Sequence, residues 1–187
     1  MYNLIIGSHV SFKNDDQLIG SVKEALSYNS NTYMFYTGAP QNTLRREINN
    51  NLTEEALKLM EENNIDKTKV IVHAPYIINL ANTEKYDFAV SFLKNECKRV
   101  EALGMKYLVL HPGSHVGLGK EVGIKNIING LNEVLVDTNI TILLETMAGK
   151  GTELGITISE IKEIIEGINY QSLLFQNLYF HVYLYEN

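Results

Sequence analysis

The sequence predicts an α/β fold of consecutive strand–helix units, of the kind that closes into a TIM-type (β/α)8 barrel. Apolar runs alternate with helical patterns at a spacing of about 35 residues, which is the length of one strand, one loop and one helix. Three runs end in a residue that can bind a metal, namely His73, His111 and Glu145. Barrel enzymes collect functional side chains at strand ends in this way. The turn at Gly7–Ser11 lacks the glycine-rich fingerprint that would favour an open dinucleotide-binding sheet.

The first two units lie before residue 65. Leu4–Ile6 is expected to form a buried strand that turns at Gly7. Thr32–Tyr36 is expected to form the second strand, and the helix after it to begin near Thr53. The helix between these strands presents one apolar face, formed by Leu18, Ile19, Val22, Ala25 and Leu26.

Three further units follow. Their strands are predicted at Val70–Val72, Tyr107–Leu110 and Ile140–Leu144, each a β-branched or apolar run that breaks into a turn. The fifth helix carries Thr157 and Glu160 at the spacing of a capping box. These signals predict five strand–helix units before residue 168.

The length predicts one domain, residues 1–187, with 45% apolar composition. A complete barrel takes about 250 residues, so the chain is expected to form an incomplete barrel of five to six units. Residues 169–187 are aromatic and strand-like, with no helix after them, and are predicted to be an atypical tail. Uncovered strand edges favour oligomerisation.

Composition narrows the functional classes. The net charge of −6 argues against broad, non-specific attraction to nucleic acid but allows a local contact. The sequence has no apolar stretch near the roughly 20 residues of a membrane span and no secretory signal, so we expect a cytoplasmic protein without a membrane partner. The single cysteine, Cys97, falls on an apolar helix face and is expected to pack in the core.

The three ligand-type residues are predicted to converge. His73 and His111 are 38 positions apart, and Glu145 follows 34 positions later. Parallel strands would bring all three side chains to the same end of one sheet. Two imidazoles and one carboxylate are a ligand set that zinc accepts. The sequence therefore predicts a zinc site at this end.

Four motifs carry a family resemblance. Gly7–Ser11, His73–Tyr76, His111–His115 and Leu144–Gly151 occur in order and at the expected separations. With these motifs the chain resembles the endonuclease IV family, the zinc-dependent apurinic/apyrimidinic endonucleases of base-excision repair. The resemblance covers roughly residues 1 to 168.

The resemblance implies a barrel with three zinc ions that cuts the DNA backbone 5′ to an abasic site by means of a zinc-activated hydroxide. By position in the motifs, His73 and His111 match ligands of one zinc, and Glu145 matches the carboxylate that bridges it to a second. His181 matches a ligand of the third zinc, although Leu178 stands where the family has an Asp ligand. At most one zinc keeps its full set of protein ligands.

The resemblance also implies a partner, double-stranded DNA with an abasic site. Tyr76 and Ile77 match the loop that inserts side chains into the duplex, where they would unstack a base step. Arg45 follows the second strand, whose loop faces DNA in the family. His9 and His115 are expected to support the zinc ligands by hydrogen bonds rather than to bind metal themselves.

Two other interpretations remain open. One is a related metal-dependent sugar isomerase or epimerase barrel, which shares strand-end His and Glu chemistry; the Met147–Gly151 loop and the motif at His111 argue against it. The other is an inactive, truncated fragment that at most binds zinc or DNA weakly, which the missing ligands favour. A cleavage assay on abasic and intact duplexes separates the isomerase from an endonuclease, because an isomerase should cut neither. Measurements of metal content and of cooperative unfolding would identify the inactive fragment.

Overall fold

The fold is a parallel sheet covered on one face by helices. The computed structural model describes residues 4–169 and the backbone of residues 178–181. In these residues six strands lie in the order of the chain, and every neighbouring pair is parallel. The strands are β1 (Gly7–His9), β2 (Thr32–Tyr36), β3 (Ile71–His73), β4 (Tyr107–Leu110), β5 (Thr141–Glu145) and β6 (Leu178–His181).

Within the described range, an α-helix lies between each of the first five strands and follows β5. The helices are α1 (Gln17–Ser27), α2 (Asn50–Glu62), α3 (Tyr86–Ala102), α4 (Lys120–Leu135) and α5 (Ile158–Glu166). Neighbouring helices contact one another, α1 with α2, α3 with α4, and α4 with α5. This repeated strand–helix–strand arrangement brings the carboxyl ends of all strands to one end of the sheet.

The core lies between the sheet and the helices. Along β2, Tyr33 and Phe35 are 2% and 0% exposed, whereas Met34 and Tyr36 are half-buried and border a groove on the opposite face. This alternation follows from the two-residue period of a strand. Cys97 is buried in the core, as its helix face predicted.

Two helix starts show how local sequence sets the element boundaries. The Asn49 side chain accepts hydrogen bonds from the backbone N–H groups of Asn51 and Leu52, so α2 begins at Asn50, earlier than the predicted start near Thr53. The Thr157 hydroxyl accepts from the Glu160 N–H, which is half of the predicted capping box. The Glu160 carboxylate instead accepts from the N–H groups of the preceding loop.

The prediction for the first strand was wrong. Leu4, Ile5 and Ile6 are 72%, 51% and 58% exposed, and the strand comprises Gly7–His9. The ladder with β2 starts at the pairing of Gly7 with Thr32, and no described helix covers the residues before it. Among the residues that the structure describes, this apolar run at the rim of the sheet has no second layer against which to pack.

The C-terminal predictions fall largely outside the described residues. The predicted tail, 169–187, includes residues 170–177 and 182–187, which are not described. The backbone of β6 pairs with β5, with His181 opposite Glu145. The His181 side chain and the single-domain assignment therefore stay predictions. None of the helices described here has the length and apolar character needed to cross a membrane.

Candidate metal centre

Three ligand-type side chains meet at the carboxyl end of the sheet. His73 is the last residue of β3, His111 follows β4 directly, and Glu145 is the last residue of β5. These strands are adjacent and in register, so the same end of each presents its side chain to one place. One ligand atom from each residue lies within 4.8 Å of the others, at a groove of about 960 Å³.

The carboxylate of Glu145 lies between the two imidazoles. Its Oε2 is 3.0 Å from Nε2 of His73 and 3.2 Å from Nε2 of His111. The side chains of His73 and Glu145 are 7% and 12% exposed, and that of His111 is 26% exposed. The cluster is therefore well shielded on the β3 and β5 side and reaches solvent at His111.

The hydrogen bonds of His73 indicate a position for a cation. Its Nδ1 lies 2.7 Å from the carbonyl oxygen of Ala74, which only accepts, so Nδ1 carries the proton. Its Nε2 also faces an acceptor, the Glu145 carboxylate. A neutral imidazole has one N–H and cannot donate at both nitrogens. A bound metal would take the place of the second proton, so these residues fit a metal bound by two imidazoles and a carboxylate.

Glu145 is ionised in this site. Burial alone would raise the pKa of its carboxyl, but hydrogen bonds from His111 and His73, and the attraction of these rings when they are protonated, outweigh it and lower the pKa to about 2. The group is thus an anionic oxygen donor over the whole physiological range. That is the form in which a carboxylate binds a metal.

His9 and His115 lie outside this three-residue cluster. The His9 ring packs 4.8 Å from that of Tyr36 and borders the same groove. Partial desolvation, and repulsion from His73 when that ring is protonated, lower the pKa of His9. Nδ1 of His115 accepts from the Gly119 N–H, 3.2 Å away, which braces its own loop. Their support of metal ligands stays a prediction.

The loop after β3 places Tyr76 and Ile77 differently. Tyr76 is 54% exposed, and its ring centroid lies 5.5 Å from that of His111. Ile77 is partly buried and packs against the core. The position of Tyr76 at the groove is compatible with contact to a large ligand, whereas much of Ile77 already contacts the protein.

The structure places Arg45 in a buried ion pair, and its contact with DNA stays a prediction. Its side chain is 9% exposed, and Nε lies 2.7 Å from Oε1 of Glu96, which is fully buried. The adjacent Arg46 is 64% exposed and is the solvent-facing cation of this loop. The sequence signal for this buried ion pair was Glu96, an acidic residue on the apolar face of α3. It lies three residues after Leu93 and four before Val100.

Tyr36 also lies beside the cluster, although it was not among the site residues predicted from the sequence. It is the last residue of β2 and pairs in register with His73, and it borders the groove. The sequence signal was available, because Tyr36 ends a strand as His73 does. Tyrosine is not a usual zinc ligand, so the pattern of ligand-type residues alone does not single it out.

Comparison with known proteins identifies relatives. The family model described as "Xylose isomerase-like TIM barrel" matches residues 22–187. The probable endonuclease 4 of Exiguobacterium sibiricum is 55% identical over 174 residues, which cover 90% of this chain and 58% of that protein. That of Bacillus subtilis is 50% identical over 175 residues, covering 91% and 58%. The chain thus spans a little under three fifths of the length of these relatives.

Solved structures agree on the fold. Endonuclease IV from Thermus thermophilus superposes with a TM-score of 0.72 at 22% identity, covering 87% of this chain and 60% of that one. A D-tagatose 3-epimerase-like protein superposes with a TM-score of 0.67 at 20% identity, covering 95% and 64%. At such identities these similarities show the fold alone. The chain belongs to the xylose isomerase-like TIM barrel family, with the endonuclease 4 proteins among its relatives, which confirms the predicted barrel fold and the predicted resemblance.

Proposed function

We propose that this chain contributes a zinc site to a DNA repair endonuclease that cleaves the phosphodiester 5′ to abasic sites. The observation that carries the proposal is the convergence of His73, His111 and Glu145 in a chain half-identical to probable endonuclease 4 proteins. Because the chain covers 58% of those relatives, their activity is transferred to it as a proposal. Such a role places it in the cytoplasm.

His73, His111 and Glu145 would hold the zinc. Three protein ligands with one open position are typical of catalytic rather than structural zinc. When bound, Zn²⁺ supplies a Lewis acid that activates water and neutralises charge developing on a phosphate. The Ala74 carbonyl fixes the His73 ring through Nδ1, so Nε2 stays directed at the site. His181 is opposite Glu145 in the backbone ladder, which supports the proposal that it serves a further zinc.

Duplex DNA containing an abasic site is the proposed partner. Tyr76 presents an exposed aromatic ring beside His111, suited to stacking on a base next to the lesion. Arg46, which is exposed on the β2–α2 loop, would contact a phosphate. These local contacts suit a chain whose net charge of −6 disfavours non-specific binding.

The sugar isomerase or epimerase alternative receives weaker support. The similarity to epimerase structures, at 20% identity or below, shows the fold, and no contact in the described residues favours a sugar over DNA. The inactive-chain alternative predicts the same fold and differs only in activity. Both alternatives are therefore outcomes of the experiment.

The test combines metal content with cleavage. Purified chain would be stripped with chelator, reloaded with zinc, and mixed with duplexes that differ only by one abasic analogue. We expect bound zinc and chelator-sensitive cleavage on the 5′ side of the analogue, with the intact duplex uncut. Zinc binding without cleavage would refute the endonuclease proposal and leave the inactive chain and the sugar isomerase or epimerase, which turnover of a sugar would then separate. Chelator-insensitive cleavage would contradict the mechanism.

Two variants make the ligand assignment separable from activity. Glu145→Gln keeps the size of the side chain but removes the anionic oxygen, and we expect loss of zinc by elemental analysis. Glu153→Gln changes a carboxylate that borders the same groove but lies outside the cluster, and we expect unchanged zinc content. Equal zinc in both variants would refute the assignment of Glu145.

A further inference from the structure

Tyr36 lies at the centre of an aromatic cluster beside the candidate metal centre. Its ring centroid is 4.8 Å from that of His9, 5.0 Å from that of His73 and 5.5 Å from that of Tyr76. The residue ends β2 and is paired in register with His73. Tyr36 is therefore fixed by the sheet, whereas Tyr76 belongs to the loop after β3.

The two tyrosine hydroxyls are joined directly. The Tyr36 hydroxyl donates a hydrogen bond to the Tyr76 oxygen over 2.5 Å, a short distance for a bond between two hydroxyls. Tyr36 is half-buried, and Tyr76 is 54% exposed. An exposed tyrosine on a loop samples several rotamers, so a fixed partner at its outer end restricts the ring.

The other contacts of Tyr76 explain what that restriction achieves. Its ring lies edge-on to His73 at 6.0 Å and tilted against His111 at 5.5 Å. The hydroxyl bond thus fixes the outer end of a ring that contacts both imidazoles. Tyr76 also borders the groove.

We propose that Tyr36 is a positioning residue, whose hydroxyl holds the Tyr76 ring in the orientation that an incoming nucleotide stacks on. Tyr36 acts through Tyr76 and does not itself touch the ligand or the metal. A side chain that is already held in its bound conformation loses less conformational freedom on binding, so the Tyr36 hydroxyl would increase the affinity for the nucleotide. The nucleic-acid part of this inference rests on the proposed function.

Tyr36→Phe tests it by removing one oxygen while keeping the ring. We expect the duplex with an abasic analogue, measured by fluorescence anisotropy in the presence of chelator, to bind about 3- to 10-fold more weakly, the effect of one ordinary hydrogen bond. Tyr36→Phe combined with Tyr76→Phe should be no weaker than the weaker single variant, since both remove one contact. Zinc content should not change.

Tyr33→Phe is the matched control. Tyr33 lies on the same strand but faces the helices, where its hydroxyl donates to Sδ of Met60. We expect this variant to bind the duplex like the unchanged chain. If Tyr33→Phe lost as much affinity as Tyr36→Phe, the loss would reflect a general destabilisation of the fold by removal of a hydroxyl from β2. That result would overturn the proposal.

A second readout does not depend on DNA. The ring signal of Tyr76 in a ¹³C-tyrosine-labelled chain is assigned by its disappearance in Tyr76→Phe. We expect its order parameter to fall in Tyr36→Phe toward the value of a mobile group, below about 0.6. An unchanged order parameter overturns the positioning role, and so does a fall without loss of affinity. Failure of the unchanged chain to bind the duplex overturns the proposed function and the nucleic-acid role, while the order parameter still reports the hydroxyl contact.

Discussion

Glu96→Ala should strongly destabilise the fold, because it leaves a buried cation without its anion. The Glu96 side chain is 0% exposed and that of Arg45 is 9% exposed. One carboxylate oxygen accepts from Nε of Arg45 at 2.7 Å, and the other accepts from the Thr37 hydroxyl at 2.5 Å. In the variant both donors lose their acceptor, and the guanidinium remains enclosed.

The expected size follows from these contacts. Breaking a buried ion pair on one side typically costs about 3 to 5 kcal/mol. Arg45 keeps hydrogen bonds from its Nη1 to the carbonyl oxygens of Ala39, Asn42 and Leu44, which favours the lower end. We therefore expect the free energy of unfolding to fall by about 3 kcal/mol, a large share of the roughly 5 to 15 kcal/mol of an ordinary domain.

Urea unfolding followed by far-ultraviolet circular dichroism measures this difference, and the same helix provides a control. Lys94 forms an exposed ion pair with Asp137, the two side chains being 32% and 59% exposed, so Lys94→Ala should cost at most about 1 kcal/mol. Replacing both buried partners, as Arg45→Met with Glu96→Leu, should recover most of the loss. If Glu96→Ala and Lys94→Ala differ by less than about 0.5 kcal/mol, the buried pair does not stabilise the fold as argued.

Three further outcomes can be checked. Gly113→Ala should destabilise by about 1 to 3 kcal/mol in urea, because Gly113 has φ of 124° and a Cβ there would overlap Oδ1 of Asn79; an unchanged midpoint would contradict this. Burial would raise the pKa of Glu160, but hydrogen bonds from Lys120 and two backbone N–H groups lower it overall. The ionised Glu160 therefore stabilises the fold above about pH 4.3, the ordinary pKa of a glutamate. This stabilisation is lost as the pH falls through the lower pKa that Glu160 has in the folded chain. The stability difference between Glu160→Gln and the unchanged chain should then shrink below that pH. Burial raises the pKa of Cys97 to about 12, so iodoacetamide should alkylate it only in denaturant, as mass spectrometry would show.

The parts of the fold that repeat were predictable from the sequence. The strand-end positions of His73, His111 and Glu145 follow from a local period, since a βα unit of fixed length returns the chain to the same end of the sheet. The cap at Thr157 is also a local signal, because its hydrogen bond spans three residues. The barrel fold was therefore predictable without knowledge of tertiary contacts.

The features that the sequence did not predict depend on distant partners. Arg45 resembles a surface cation until Glu96, 51 residues away, is placed beside it. The hydroxyl bond between Tyr36 and Tyr76 joins residues 40 positions apart. The run that begins at Leu4 looked like a buried strand because apolar composition does not say whether a second layer covers it.

The three ligand-type residues come from three consecutive strands, which has a consequence for the dynamics of the chain. A metal bound by His73, His111 and Glu145 would act as a cross-link that closes chain segments of 38 and 34 residues. Its binding energy would then oppose opening of the β3-to-β5 region and leave the region of α1 and α2 unaffected. Amide hydrogen exchange should therefore slow on metal addition in the β3-to-β5 region and stay unchanged around α1 and α2. Metal binding would thus give two parts of one structural repeat different local stabilities.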